Sequence, residues 1–131
     1  MVLNDVISKL NLSKIETIHG RVEDIAHKTN YRESFDVATS RAVSNLTTLS
    51  EYLLPLVKVG GKVICMKGPN YEEEVSNSKN AIKLLGGKIE NVISFNIDGE
   101  LERNIIIISK IARTPNKYPR NSGLPLKKPL V

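Results

Sequence analysis

The chain has 131 residues, of which 40% are hydrophobic and 25% charged, with a net charge of +5. That length suits one domain with a packed core, and no apolar run is long enough to span a membrane as a helix. The single cysteine, Cys65, rules out an internal disulfide, and the start Met1-Val2-Leu3-Asn4-Asp5 lacks the basic and apolar regions of a secretory leader, so a cytoplasmic protein is expected.

Val2 to Leu12 predicts a helix, with Val2 or Leu3, Val6, Ile7 and Leu10 on one face and Asn11 at its end. Ile15-Glu16-Thr17-Ile18-His19-Gly20 alternates and predicts a short strand. Arg21 to Ala26 reads as a loop and a helical turn, and Asn30 to Ser34 as a polar connection. Phe35-Asp36-Val37-Ala38-Thr39 predicts a strand that ends at Ser40-Arg41. A helix follows, capped by Asn45 or Ser44, with Leu46, Leu49, Leu53 and Leu56 on its buried face and Pro55 and Gly60-Gly61 ending it. Lys62-Val63-Ile64-Cys65-Met66 predicts the next strand, ending at Lys67-Gly68, with Cys65 a buried structural thiol. Gly68-Pro69-Asn70 predicts a turn and helix cap, and Glu72, Glu73 and Glu74 suit the positive end of the helix that starts there. Its buried stripe is Val75, Ile82 and Leu85, and Gly86-Gly87 closes it. Lys88 to Ile97 and Leu101 to Ile111 predict a hairpin around Asp98-Gly99-Glu100.

From Thr114 onward there are four prolines and no periodicity, which predicts an extended tail. The division expected is an α/β body over residues 1–112 and a basic, proline-rich tail over 113–131. The tail concentrates the charge. Residues 103–131 hold Arg103, Lys110, Arg113, Lys117, Arg120, Lys127 and Lys128 and no acid, whereas residues 1–102 hold 12 basic and 14 acidic side chains. A cationic arm on a near-neutral body suits a polyanion, nucleic acid first; the plainer reading is a solvated, solubilising tail.

The predicted order is β-α-β-α-β-α-β-β: an open α/β sheet, its first three strands parallel and its last two an antiparallel hairpin. In such sheets ligands bind beyond the carboxyl ends of the strands. Two strands finish there on a cation, Arg41 and Lys67. One cysteine and two separated histidines, His19 and His27, do not make a metal set. No nucleophile triad and no P-loop is present.

The residues together resemble one family. Ser40-Arg41-Ala42-Val43 after FDV, Leu54-Pro55-Leu56, Gly60-Gly61, Lys67-Gly68-Pro69-Asn70 and the ending Thr114-Pro115-Asn116-Lys117-Tyr118-Pro119-Arg120, with Gly123, Pro125 and Lys127-Lys128-Pro129-Leu130, occur in that order. This pattern is similar to the bacterial 16S rRNA guanine-N7 methyltransferases of the small subunit, also called glucose-inhibited division protein B. The resemblance runs from about Val2 to Leu130 and covers only the carboxyl part of the family pattern. The amino-terminal helical region, the first two strands and the Gly-x-Gly loop that holds S-adenosylmethionine have no counterpart. None of Gly20, Gly60-Gly61 or Gly86-Gly87 forms Gly-x-Gly after a strand.

The resemblance implies a partial class I S-adenosylmethionine-dependent methyltransferase sheet, Rossmann-like and lacking the first two of the strands ordered 3-2-1-4-5-7-6. It implies cofactor contacts at Val22, Glu23 and Arg41: an amide and a carboxylate suit an adenine edge, and a guanidinium suits a carboxylate or phosphate. The alternatives are a helix-start acid for Glu23 and a surface ion pair for Arg41. RNA contacts are expected at Lys67, Lys117, Arg120, Lys127 and Lys128; for Lys67 the competing reading is a plain strand-end lysine, and for Asn70 the helix cap is preferred. The implied reaction needs no general base. Guanine N7 offers a lone pair to the sulfonium methyl in line, so alignment and charge accommodation supply the catalysis. The implied partner is 16S rRNA or the small ribosomal subunit, recognised through phosphates and an exposed base. Without the first two strands, Phe35 to Thr39 becomes an open edge, which predicts self-association, and these residues alone are expected to be inactive. A non-catalytic RNA-binding fragment of the same fold is the alternative. The missing Gly-x-Gly counts against an oxidoreductase-type nucleotide domain.

Overall fold

A computed structural model describes residues 2–41, 44–99 and 101–131. Its elements are α1 (Val2–Lys9), α2 (Val22–Ile25), β1 (Phe35–Ser40), α3 (Leu46–Leu53), a 3-10 turn (Leu54–Leu56), β2 (Val57–Lys67), α4 (Glu72–Leu84), β3 (Gly87–Ile97), β4 (Leu101–Lys110) and α5 (Leu124–Lys127). The four strands form one sheet in the order β1-β2-β4-β3. β1 and β2 are parallel, and β4 runs antiparallel to both of its neighbours. The reversed strand thus lies one place in from the edge, as the pattern predicted.

The expected strand over Ile15–Gly20 does not form. Alternation alone does not make a strand. It needs a hydrogen-bonding neighbour, and among the described residues β1 pairs only with β2. Ile15 and Ile18 stay exposed. The strand predicted at Lys62 starts earlier, at Val57, and takes Gly60-Gly61 into its run. Between the partner pairs Phe35–Val57 and Val37–Lys62 the register shifts, so β2 carries extra residues there. Gly60 has φ +95°, and a Cβ on Gly61 would come within 2.5 Å of the Asp36 carbonyl oxygen, so this bulge needs glycines.

α3 and α4 cover one face of the sheet. Asn45 caps α3 by accepting from the Thr48 amide at 2.9 Å. Leu46, Leu49, Leu54, Ile82 and Leu85 pack on the cross-strand pairs Val63–Ile108 and Cys65–Ile106. The Cys65 thiol is buried, which pushes its pKa up to about 11 against the nearby Lys67 ammonium, as expected of a structural thiol. Gly86, at φ +91°, closes α4 as predicted. Asn70 is not its cap: it sits at φ +65° and the N-cap position is Tyr71, without a side-chain bond. The opposite sheet face carries the pairs Ile64–Ile107, Met66–Ile105 and Ile105–Ile93. Met66, Ile93 and Phe95 remain exposed on the sheet.

Residues 113–131 are not an extended arm. They strap across α2 and α3. Arg32 donates to the carbonyls of Tyr118 at 2.7 Å, Pro115 at 3.0 Å and Thr114 at 3.1 Å, and His27 Nε2 donates to the Pro119 carbonyl at 2.6 Å. Thr114 Oγ1 donates to the Leu85 carbonyl and Thr48 Oγ1 to the Pro125 carbonyl. Tyr118 joins the core. A proline-rich segment has few amides with which to build its own ladder, so its carbonyls are satisfied by body side chains. Lys110 adds an anchor beneath: fully buried, it donates to the carbonyls of Leu54 at 2.6 Å and Val57 at 2.8 Å and pairs with Glu33 at 3.1 Å. Burial pulls its pKa down, and Glu33 opposes that.

Candidate functional site

The parallel strands β1 and β2 bring Ser40-Arg41 and Lys67-Gly68 to the same end of the sheet. This is the end where an open α/β sheet binds its ligands. Arg41 is exposed there. Lys67 is not the open cation expected. Its side chain is 7% exposed, and its Nζ donates to the Ser44 carbonyl at 2.5 Å and to Glu74 at 3.0 Å. The same Glu74 oxygen accepts the Leu46 amide at 2.9 Å. Lys67 therefore ties the loop after β1 to the start of α4, and the ammonium is consumed by that role. A second tie lies beside it. Fully buried Asn104 donates to the Gly68 carbonyl at 2.9 Å and accepts from Ser94 Oγ at 2.5 Å. Both loops that border the site are thus held by buried polar side chains. Periodicity carries no signal for either tie, although Asn104 beside the run Ile105 to Ile108 marks a polar group carried into the core.

Val22 and Glu23 open α2. Glu23 is 3% exposed, and its Oε2 accepts the Gly123 amide at 2.8 Å and Arg21 Nη2 at 3.4 Å. Burial by itself raises a carboxyl pKa. The Gly123 amide and the Arg21 guanidinium outweigh it and hold Glu23 below its ordinary value. A residue of the tail thus sits directly on a residue expected to meet the cofactor.

Of the tail cations, Lys117, Lys127 and Lys128 are exposed. Arg120, expected to meet RNA, is instead clamped on Glu51. Its Nη2 lies 2.9 Å from Oε1, its Nε 3.1 Å from Oε2, and its own amide donates to Oε2 at 2.7 Å. The Glu51 side chain is only 1% exposed. A buried carboxylate is kept only if paired, and Arg120 is the partner. Sequence reasoning misses Glu51; its one signal is an acid two residues past the buried Leu49 on α3.

The sheet order, the helices α3 and α4 on one face and the ligand end at Arg41 and Lys67 define the Rossmann-like fold of class I S-adenosylmethionine-dependent methyltransferases, here in four strands. A solved rRNA methylase from Streptococcus thermophilus shares the fold, with a TM-score of 0.58 at 18% identity over 83% of this chain and 65% of that one. The family model described as rRNA small subunit methyltransferase G (GidB) matches residues 1–106, and the chain belongs to that family. The Ribosomal RNA small subunit methyltransferase G of Clostridium novyi is 50% identical over 131 residues, 99% of this chain and 54% of that protein. That of Acetivibrio thermocellus is 51% identical over 130 residues, 98% and 53%. The chain spans about half the length of the curated relatives it matches.

Proposed function

We propose that these residues are the carboxyl-side part of a methyltransferase that moves a methyl group from S-adenosylmethionine to N7 of a guanine in 16S rRNA, and that on their own they have little or no activity. The observation that carries the reading is half-identity, over nearly the whole chain, to proteins named ribosomal RNA small subunit methyltransferase G. The geometry agrees with it in part. Glu23 lies at the start of α2 beside Val22, but it is 3% exposed and its Oε2 is taken by the Gly123 amide and Arg21, so its contact with an adenine amino group requires its free Oε1 and a shift of the tail; Arg41 stands exposed at the ligand end of β1. No glycine of the chain forms a Gly-x-Gly turn after a strand, so the contacts proposed for these residues are confined to Val22, Glu23 and Arg41. When bound, S-adenosylmethionine supplies an electrophilic methyl on a cationic sulfur. The share of this chain is to bind and orient, with Arg41 toward the ligand and Lys67 and Asn104 holding the two loops.

In this reading the partner is 16S rRNA or the small ribosomal subunit, met by Lys117, Lys127 and Lys128, and the protein works in the cytoplasm. The open edge of β1 and the exposed Met66, Ile93 and Phe95 support self-association of the chain. A second reading, a non-catalytic RNA-binding piece, is favoured by the three tail lysines that remain exposed.

Two measurements test this. Calorimetric titration of the folded chain with S-adenosylmethionine is expected to give no heat. Micromolar binding, or methyl transfer to 16S rRNA by the purified chain, would show that Val22, Glu23 and Arg41 suffice. Binding to a 16S rRNA fragment is expected to weaken steeply with salt and to lose slope when Lys117, Lys127 and Lys128 become glutamine. Salt-independent or absent RNA binding would remove the RNA reading altogether.

A further inference from the structure

At the opposite end of the sheet, a groove of about 380 Å³ runs between α4 and the start of β3. Its floor is Ile82, Ile89, Ile111 and Gly87, and its rim is Lys79, Lys83 and Lys88. Ile111 is 59% exposed, so an apolar side chain of the groove is open to a ligand. Lys79 and Lys83 stand one helical turn apart on α4, and Lys88 faces them from β3. None of the three is in an ion pair among the described residues, and no carboxylate lines the groove. Its α4 residues, Lys79 to Lys83, lie roughly 8–14 Å along the helix axis from Glu74, where Lys67 meets α4, so it is not part of the site described above.

We propose that this groove docks an acidic peptide segment of another protein, one large aliphatic side chain entering the isoleucine floor and flanking carboxylates meeting the lysine rim. Charge and shape choose this occupant together. Three cations without local counter-charges call for an anion. A polyanion with no apolar part would lie across the rim and leave the isoleucines in water. A nucleic-acid base in the slot would need an aromatic or guanidinium plane to stack on, and the lining has neither. An aliphatic side chain between carboxylates satisfies both parts of the groove, in the manner of a peptide anchor with a charged rim.

The test uses the whole chain and an amidated Glu-Glu-Leu-Leu-Glu-Glu peptide, read by amide chemical shifts and by fluorescence anisotropy. The expected result is saturable binding, with shifts centred on Ile89 and Ile111. Affinity is expected to drop by about tenfold for a Glu-Glu-Ser-Ser-Glu-Glu peptide, because the anchor is gone. A similar drop of about tenfold is expected for the K79Q/K83Q/K88Q chain, and the exposed I111S variant tests the floor without opening the core. Equal binding of the leucine and serine peptides would reduce the groove to a charge patch and overturn the proposal. So would tighter binding of a single-stranded RNA at the same amides, shifts that grow with chain concentration alone (a second copy as occupant), or no shift at millimolar peptide.

Discussion

Replacing Arg120 by alanine tests whether the tail is a structural strap. Arg120 delivers three guanidinium bonds, two of them shared from Nε, and one amide bond to Glu51, whose side chain is 1% exposed, while its own side chain is 23% exposed. Truncation leaves the carboxylate in the core with the residue-120 amide alone. Removing one partner of a fully buried pair costs about 3–5 kcal/mol. Arg120 is partly solvated and water can enter the space it leaves, so about 2–3 kcal/mol is expected. For a chain of this size that lowers the melting temperature by roughly 10 °C. The assay is thermal unfolding of wild type, R120A, E51Q and the double variant. The double variant is expected to be more stable than the sum of the singles predicts, because the second change removes the charge that the first one strands. Limited proteolysis adds a local readout: tryptic cleavage after Lys117 and Lys127 should accelerate in R120A while the sheet stays protected. A melting temperature within about 4 °C of wild type, the range of an exposed pair, would mean that the tail does not hold the body together and would refute the strap.

Three further outcomes follow from the same geometry. Glu23 and Glu33 are both held below the ordinary carboxyl value near 4.5: burial raises each, and the amides of Gly123 and Thr114 with nearby cations outweigh it. A depressed folded pKa means that the unfolded chain takes up the proton first, so stability is full above pH 4.5 and falls as the pH drops toward the lowered values; E33Q should flatten that fall in acid-denaturation curves. Gly61→Ala drives a Cβ into the Asp36 carbonyl and should cost about 2 kcal/mol or more in denaturant midpoint, whereas a change at Gly60, which has open space but φ +95°, should cost less, about 1 kcal/mol. Lys67→Met leaves the Ser44 carbonyl without its donor and Glu74 without its cation, and is expected to speed amide exchange at Leu46 and Thr48 more than in β4; uniform exchange across the chain would show that Lys67 does not pin the loop.

The local elements were legible because local chemistry makes them. Asn45 and Gly86 mark helix ends through a backbone group the side chain satisfies and a conformation glycine readily adopts, and the apolar runs of β2 and β4 read as strands because each buries one face under α3 and α4, although the other face, with Met66, stays partly open. The ligand end was legible too, since parallel strands joined by a helix carry Arg41 and Lys67 to one side whatever the helix contains. What periodicity does not carry is pairing across distance. Ile15 to Gly20 alternates like a strand and stays unpaired, for alternation states a preference and a neighbour decides it. Lys67 and Arg120 were legible as cations. Whether a cation faces solvent or a buried carboxylate depends on Glu74 and Glu51, one seven residues away and the other far upstream, brought close only by the folded chain. Prolines break ladders and so predict an extended tail, but tertiary structure gives its carbonyls other partners in Arg32 and His27. By itself, then, the sequence determined four of the five strands it predicted, their order along the chain and the family, all of which rest on near neighbours and motif order. Only the tertiary structure decided which charges are spent on holding the site together and which remain for a ligand, because that depends on burial, and burial is a property of the whole fold.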